Sequence, residues 1–227
     1  AGSIGSDIAT RLADEGASLY VSDLDSVEVE ALRARLGGAG GTVDLSDDDS
    51  IVDGVDAAVS ALGGLDAVVN AAAISRQGVG ALEESTAEWH RVLQANLVGP
   101  YRLAQAACSH LPRGGAIINI SSSGADAPLP RNVAYGASKA ALNHLTTSLA
   151  RHLAPEGIRV NAVSPGLMEM PVRVDGARPE ARRGMDDRVP LGRLGQGRDV
   201  AGAVAYLLSA DGDWITGQVI RINCGMS

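Results

Sequence analysis

Short apolar runs alternate along this chain with longer stretches whose apolar residues recur every three to four positions. That alternation constrains the fold more than any other feature. Residues 19–22, 65–70, 116–120, 158–163 and 218–222 are short apolar runs and read as strands. Between them, Ile51, Val55, Val59 and Leu62 recur at helical spacing. Ser85 and Glu88 form a capping box that opens a long helix with Trp89, Val92, Leu93 and Leu97 on its apolar side. Residues 135 to about 153 form an Ala/Leu-rich helix, and Val200, Val204, Leu207 and Leu208 mark a last one. Strand and helix in strict alternation predict an α/β fold: a doubly wound parallel sheet with right-handed crossovers and helices on both faces. At 227 residues the chain fits one domain, 1–227.

Composition agrees. Phe is absent, aromatics are 3% and Gly numbers 28, so the core must be built from Ala, Val, Leu and Ile. Small side chains suit helices laid closely on a parallel sheet. The net charge is −8 and no Lys/Arg cluster appears, which argues against a nucleic-acid partner. No apolar run approaches the ~18 residues of a membrane span, and no signal peptide opens the chain. Cys108 and Cys224 read as two free thiols in a reduced cytoplasm. His90, His110, His144 and His152 lack zinc spacing, so no metal is expected.

Two places look short. The chain opens at Ala1-Gly2-Ser3-Ile4-Gly5, inside what the pattern makes a strand-to-helix loop with no strand before it. Before Asp44, Gly41-Thr42-Val43 is too little for a buried strand. The expectation is that the natural chain carries further residues at these points.

Gly2, Ser3, Ile4 and Gly5 precede a helix with Ile4, Ile8 and Leu12 on one face. Glycines there let backbone N–H groups approach a pyrophosphate, whose charge the helix dipole favours. Asp23 follows Gly5 by 18 residues, at the end of the first apolar run. An acidic residue so placed accepts hydrogen bonds from the adenosine ribose and repels a 2′-phosphate. No Arg or Lys lies in Leu24-Asp25-Ser26 to offset it, which favours NAD over NADP. The plainer alternative is that Asp23 caps the next helix.

Tyr135-Gly-Ala-Ser-Lys139 puts Tyr and Lys one turn apart on one helix face. Ser122 lies 13 residues upstream, just past a strand, and Asn96 lies inside the helix opened at Ser85. Pro100, four residues after Asn96, has no N–H, so the helical bond to the Asn96 carbonyl is not made. A plain helix kink is the alternative meaning of Pro100.

With these residues in place, the sequence resembles the short-chain dehydrogenase/reductase family over nearly its whole length. Gly2-Ser3-Ile4-Gly5 matches the tail of the TGxxxGxG loop, and Asp23 and Asp44 (in Val-Asp-Leu-Ser) match in turn. Asn70-Ala-Ala-Ala stands for NNAG, followed by Asn96-Leu-Val-Gly, Ile120-Ser-Ser, Tyr135-Gly-Ala-Ser-Lys139, Pro165-Gly166, Pro190-Leu-Gly-Arg-Leu-Gly and Ile215-Thr-Gly-Gln. The resemblance implies a catalytic tetrad of Asn96, Ser122, Tyr135 and Lys139. Tyr135 would be the general acid/base, Ser122 would hold the substrate oxygen, and Lys139 would hold the nicotinamide ribose. Lys139 and oxidised nicotinamide are expected to lower the Tyr135 pKa by favouring the phenolate. Asn96 would offer its main-chain carbonyl to a water in a proton relay. Asp44 with Leu45 would contact adenine. Asn70 would stabilise the central strands, Ala71 and Ala72 would line the adenosine site, and the backbone near Met168 would meet the carboxamide.

Several positions depart from the family pattern: Ser3 in the phosphate loop, Ala71 and Ala73 in the NNAG match, Met170 for a Thr, Gly197-Arg198 for Pro-Glu, and Asn223-Cys224 for Asp-Gly. None removes the tetrad. Residues 167–190 read as a mobile loop or lid. Ser123, Gly124, Ala125, Arg76, Met168 and Met170 are candidate substrate contacts, for a small or mid-sized alcohol or ketone, cyclic ones included. The expected function is an NAD(H)-dependent oxidoreductase interconverting a secondary alcohol and a ketone. The alternatives are an NADPH-dependent ketoreductase of the 3-ketoacyl-thioester type and a non-catalytic binding protein of the same fold. The resemblance also implies a homotetramer or homodimer paired through helices 89–110 and 135–152.

Overall fold

The computed structural model describes residues 3–75, 80–169 and 189–226. Among the described residues, six parallel strands alternate with seven α-helices: α1 (Ser3–Asp14), β1 (Tyr20–Asp23), α2 (Ser26–Leu36), β2 (Ala39–Thr42), α3 (Asp48–Leu62), β3 (Ala67–Asn70), α4 (Thr86–Leu93), α5 (Gly99–Ala107), β4 (Ala116–Ile120), α6 (Val133–Leu153), β5 (Arg159–Pro165), α7 (Gly197–Leu208) and β6 (Val219–Ile222). The strands form two sheets, β1-β2 and β3-β4-β5-β6, every pair parallel. The α/β class is as expected. Among the described residues no ladder joins β1 to β3.

Alternation along β4 and β5 explains why the larger sheet is covered on both faces. Ile118, Ile120 and Val163 pack with Ile8 of α1 and with Val200, Ala201, Val204 and Leu207 of α7. Ile117 and Val160 point the other way, onto Ala104 of α5 and Ala150 and Leu153 of α6. Each fully buried Ile, Leu or Val contributes roughly 1.5–3 kcal/mol relative to exposure. Ile4 and Leu12 join Ile8 on the core face of α1, as their spacing predicts.

Helix starts follow short polar side chains. Asp25 accepts from Val27 N and Glu28 N to cap α2, and Asp47 does the same for α3 with Asp49 N and Ser50 N. Ser85 caps α4 by accepting from Glu88 N at 3.2 Å. Asp23, the alternative cap of α2, is instead the last residue of β1, two residues before the true cap.

Four expectations need correction. A strand does form before Asp44: β2 pairs residue by residue with β1. It was hidden because Gly40 and Gly41 carry no side chain to show a pattern, and a Cβ at Gly40 would stand 2.5 Å from Val21 O. The long helix predicted from Ser85 is broken by a π-helical turn at Gln94–Val98. Pro100 can donate to neither Asn96 O nor Ala95 O, so the ladder shifts register there. β1 starts and ends one residue later than predicted and β3 begins at Ala67, within the usual scatter of element ends. α6 starts at Val133, so Tyr135 lies third in the helix instead of opening it. Of the expected lid, 170–188 lies outside the described residues, as do Gly2, Arg76 and Met170.

Candidate active site

The parallel strands bring their C-terminal ends to one edge, where a ligand crevice forms in folds of this kind. Asp23 ends β1, Asn70 ends β3, Ser122 follows β4, and Pro165 ends β5 with Gly166 next. Gly5, in the first turn of α1, faces Ala71 just past β3: a Cβ built on Gly5 would lie 3.5 Å from the Ala71 Cβ. The α1 N-terminus and the start of the 71–75 segment thus meet, and Asp23 ends a strand of the smaller sheet. Asp23 Oδ1 accepts from Asp25 N at 3.1 Å. Asp44 accepts from the Ser46 hydroxyl at 2.6 Å and Ser46 N at 2.8 Å, and these bonds hold its carboxyl below the usual carboxylate range. Leu45 packs under the start of α5. Leu24 is exposed beside Asp23.

Three residues of the expected tetrad converge. Ser122 follows β4 and starts a short turn, its Oγ accepting from Gly124 N at 3.1 Å. Gly136 in α6 faces this turn closely: a Cβ there would stand 3.0 Å from Gly124 O. Two glycines thus let α6 approach the turn, and the Ser122 hydroxyl hydrogen-bonds to the Tyr135 oxygen in a way that favours the phenolate. Lys139, one turn on, is 2% exposed, and its Nζ donates to Ile120 O at 2.7 Å. The same Nζ lies 5.8 Å from the Tyr135 ring centroid. Ser123 is half-buried beside this cluster.

Asn96 is fully buried, and its side chain is used structurally. Oδ1 accepts from Ile74 N at 2.8 Å, and Nδ2 donates to Ile74 O at 2.9 Å and to Ser138 Oγ at 3.1 Å. It ties the segment after β3 to α6. Asn70 has a parallel role: Nδ2 donates to Asn119 Oδ1 at 3.4 Å, and Asn119 Nδ2 donates to Thr146 Oγ1 at 3.0 Å. Sequence reasoning placed Asn70 at the central strands but missed Asn119, Thr146 and Ser138. Ser138 had a visible signal, lying between Tyr135 and Lys139. The other two are recognisable only once β4 and α6 are packed together.

Burial of the ring opposes the lowering expected for the Tyr135 pKa. Burial pushes the phenol up, and the Ser122 hydrogen bond only partly offsets it. Burial also draws Lys139 down to about 8, so the ammonium near the phenol is itself partly discharged in mild base. Near Met168, main-chain groups are engaged: Gly195 N donates to Leu167 O at 2.9 Å and Glu169 N to Gly195 O at 2.7 Å. Gly166 N donates to Ile222 O at 3.0 Å. Cys108 and Cys224 are free thiols. No helix among the described residues is long and apolar enough to cross a membrane.

Comparison with known proteins agrees with this fold. A family model described as enoyl-(acyl carrier protein) reductase matches residues 1–227. An uncharacterised oxidoreductase of Methylorubrum extorquens is 39% identical over 98% of this chain and 93% of its own length. A 3-oxoacyl-acyl-carrier-protein reductase, FabG, of Staphylococcus aureus is 36% identical over 98% of this chain and 93% of its own. Among solved structures, a dehydrogenase/reductase of Sinorhizobium meliloti superposes with TM-score 0.90 at 35% identity, covering 99% of this chain and 90% of the other. A short-chain dehydrogenase of Burkholderia cenocepacia in complex with NADP gives 0.88 at 32%, covering 99% and 93%. The chain belongs to the short-chain dehydrogenase/reductase family of oxidoreductases.

Proposed function

We propose that this chain is an NAD(H)-linked oxidoreductase that interconverts a secondary alcohol and a ketone, with Tyr135 as general acid/base. The observation that carries this reading is the convergence of Ser122, Tyr135 and Lys139 on one point at the strand ends.

The residues present fit a dinucleotide. The α1 N-terminus at Ser3, Ile4 and Gly5 offers N–H groups to the pyrophosphate, with Ala71 close enough to wall the site. Asp23 would accept from the adenosine ribose, and Asp44, Leu45 and Ala72 would border the adenine. Lys139 and Tyr135 would reach the nicotinamide ribose, and Pro165, Gly166 and Met168 the carboxamide. When bound, the dinucleotide supplies or accepts the hydride at the carbinol carbon.

The chain's own residues handle the proton. In ketone reduction Tyr135 gives its phenolic proton to the substrate oxygen while Ser122 donates a hydrogen bond to that same oxygen. Developing charge is thus met by donors already in place. Lys139 then favours the phenolate left behind, and Asn96 offers its carbonyl to a water that returns the proton. The raised Tyr135 pKa suits the acid role, since the phenol stays protonated at neutral pH. Alcohol oxidation needs the phenolate and is therefore favoured by higher pH.

NAD is preferred over NADP because Asp23 ends β1 with no cation in Leu24-Asp25-Ser26. A second reading is an NADPH-dependent 3-ketoacyl-thioester reductase, favoured by the 36% identity to FabG and by the NADP-bound structural neighbour. The proposed substrate is a small or mid-sized alcohol or ketone, with Ser123 bordering it. A cytoplasmic homotetramer or homodimer completes the proposal, and Val98 and Tyr101 stand exposed on the helix pair that would make its interface.

The test is Tyr135→Phe. With the reduced cofactor saturating, ketone reduction falls roughly 10²–10⁴-fold while the cofactor dissociation constant stays within about threefold. A loss below tenfold removes Tyr135 from the proton path and with it this function.

A further inference from the structure

We infer that Glu84 is a positioning residue for Tyr135, acting through the first turn of α6; the inference rests on the oxidoreductase reading above. A helix leaves its first N–H groups without partners inside the helix, and the residue before it commonly supplies an oxygen. Asn132 occupies that place in α6 but makes no such bond. Its Nδ2 turns instead to Ser75 Oγ at 3.4 Å.

The oxygens come from far away in sequence. Val133 N donates to Glu84 Oε1 at 2.9 Å and Ala134 N to Glu84 Oε2 at 3.0 Å. Both oxygens of one carboxylate are used on successive N–H groups, at the positive end of the helix dipole, in charge-assisted bonds. The next residue is Tyr135. The intrahelical ladder takes over just beyond, with Gly136 N donating to Asn132 O at 3.1 Å.

Glu84 also sits next to Ser85, the cap of α4. Neighbouring residues therefore fix the starts of two helices: one leads to Asn96, the other bears Tyr135 and Lys139. One turn along α6, Asn96 Nδ2 holds Ser138 Oγ, so α6 is registered against the α4 side at two levels. Lys139 is locked in the core by its own burial and its bond to Ile120 O. Tyr135 lies in the first turn, where loss of the carboxylate would let the helix end fray. The consequence falls on proton transfer and spares cofactor binding.

The experiment uses the full chain as parent, Glu84→Gln, and Glu84→Gln with Asn132→Asp, which supplies a cap from the residue just before α6. Three readouts are taken: NADH affinity by nicotinamide fluorescence, kcat for ethyl acetoacetate reduction at saturating NADH, and the Tyr135 phenol titration. The titration is the tyrosinate absorbance difference between each protein and its Tyr135→Phe counterpart. Glu84→Gln is expected to lower kcat at least tenfold with NADH affinity within twofold. Its phenol should titrate closer to the ordinary tyrosine value, because a frayed turn undoes the burial that raises it. Asn132→Asp should return kcat to within threefold of the parent. A kcat within twofold of the parent, or a phenol titration unchanged in Glu84→Gln, overturns the inference. So does a kcat that Asn132→Asp does not recover. A parent inert toward both nicotinamide cofactors and the ketoester defeats the oxidoreductase reading, and the phenol titration still decides whether Glu84 positions Tyr135.

Discussion

Burying an ammonium costs several kcal/mol unless it is well compensated, and Lys139 is 2% exposed with its Nζ on the Ile120 carbonyl. Burial draws its pKa from 10.5 to about 8. Between those values the unfolded chain holds a proton that the folded chain has released, so stability rises with pH across that window. The penalty is full below about pH 8 and gone above pH 10.5. Urea unfolding of the parent and of Lys139→Met at pH 7.5 and pH 10 should show the parent gaining about 2 kcal/mol relative to the variant. A difference that does not change with pH would mean that Lys139 is not held in a desolvated site. The identities of Ser122, Tyr135 and Lys139 were legible from spacing. The burial that pushes the Tyr135 phenol up was not, because desolvation depends on what covers the ring, and the Tyr-Lys spacing carries no information about that. Glu84 was invisible for the same reason: its partners Val133 and Ala134 are 49 and 50 residues away.

Elements with strong periodicity were readable, and those defined by backbone approach were not. Ile4, Ile8 and Leu12 announced α1, and Ile51 and Val55 announced α3, because burial of one face is written every three or four residues. β2 is built on Gly40 and Gly41, which have no side chain to show which face is buried, and only its pairing with β1 reveals it. The start of α5 is likewise set by contact. A Cβ on Gly99 would stand 2.4 Å from Leu45 O and 2.8 Å from Leu45 Cβ. Gly99→Ala should therefore destabilise the protein by roughly 1–3 kcal/mol, although Ala is the better helix former. Thermal melting followed by circular dichroism checks this. An unchanged or higher melting temperature would show that α5 and Leu45 part without penalty. Because Gly99 directly follows the π-helical turn that holds Asn96, the same variant should lower activity along with stability.

On the scale of the molecule, the two sheets and the helices around them gather chemically different groups at one edge. Asp23 comes from β1, Gly5 from α1, Ser122 from the end of β4, and Tyr135 and Lys139 from α6. Helix coverage followed from the alternation in the sequence, and this convergence follows from all strands running parallel. No ladder joins β1 to β3 among the described residues, in keeping with an opening loop that has no strand before it. The substrate side was the least legible: Met170 and Arg76 fall outside the described residues, and lid-like segments carry no periodicity to read. The central claim is that a dinucleotide lies along this edge with its adenosine ribose on Asp23. Titration of the full-length protein with NADH and with NADPH, followed by nicotinamide fluorescence, tests it most directly. NADH should bind at least tenfold more tightly, and Asp23→Ser should narrow the difference. Equal or tighter binding of NADPH would contradict the role of Asp23 and favour the 3-ketoacyl reductase, and binding of neither would contradict the oxidoreductase reading itself.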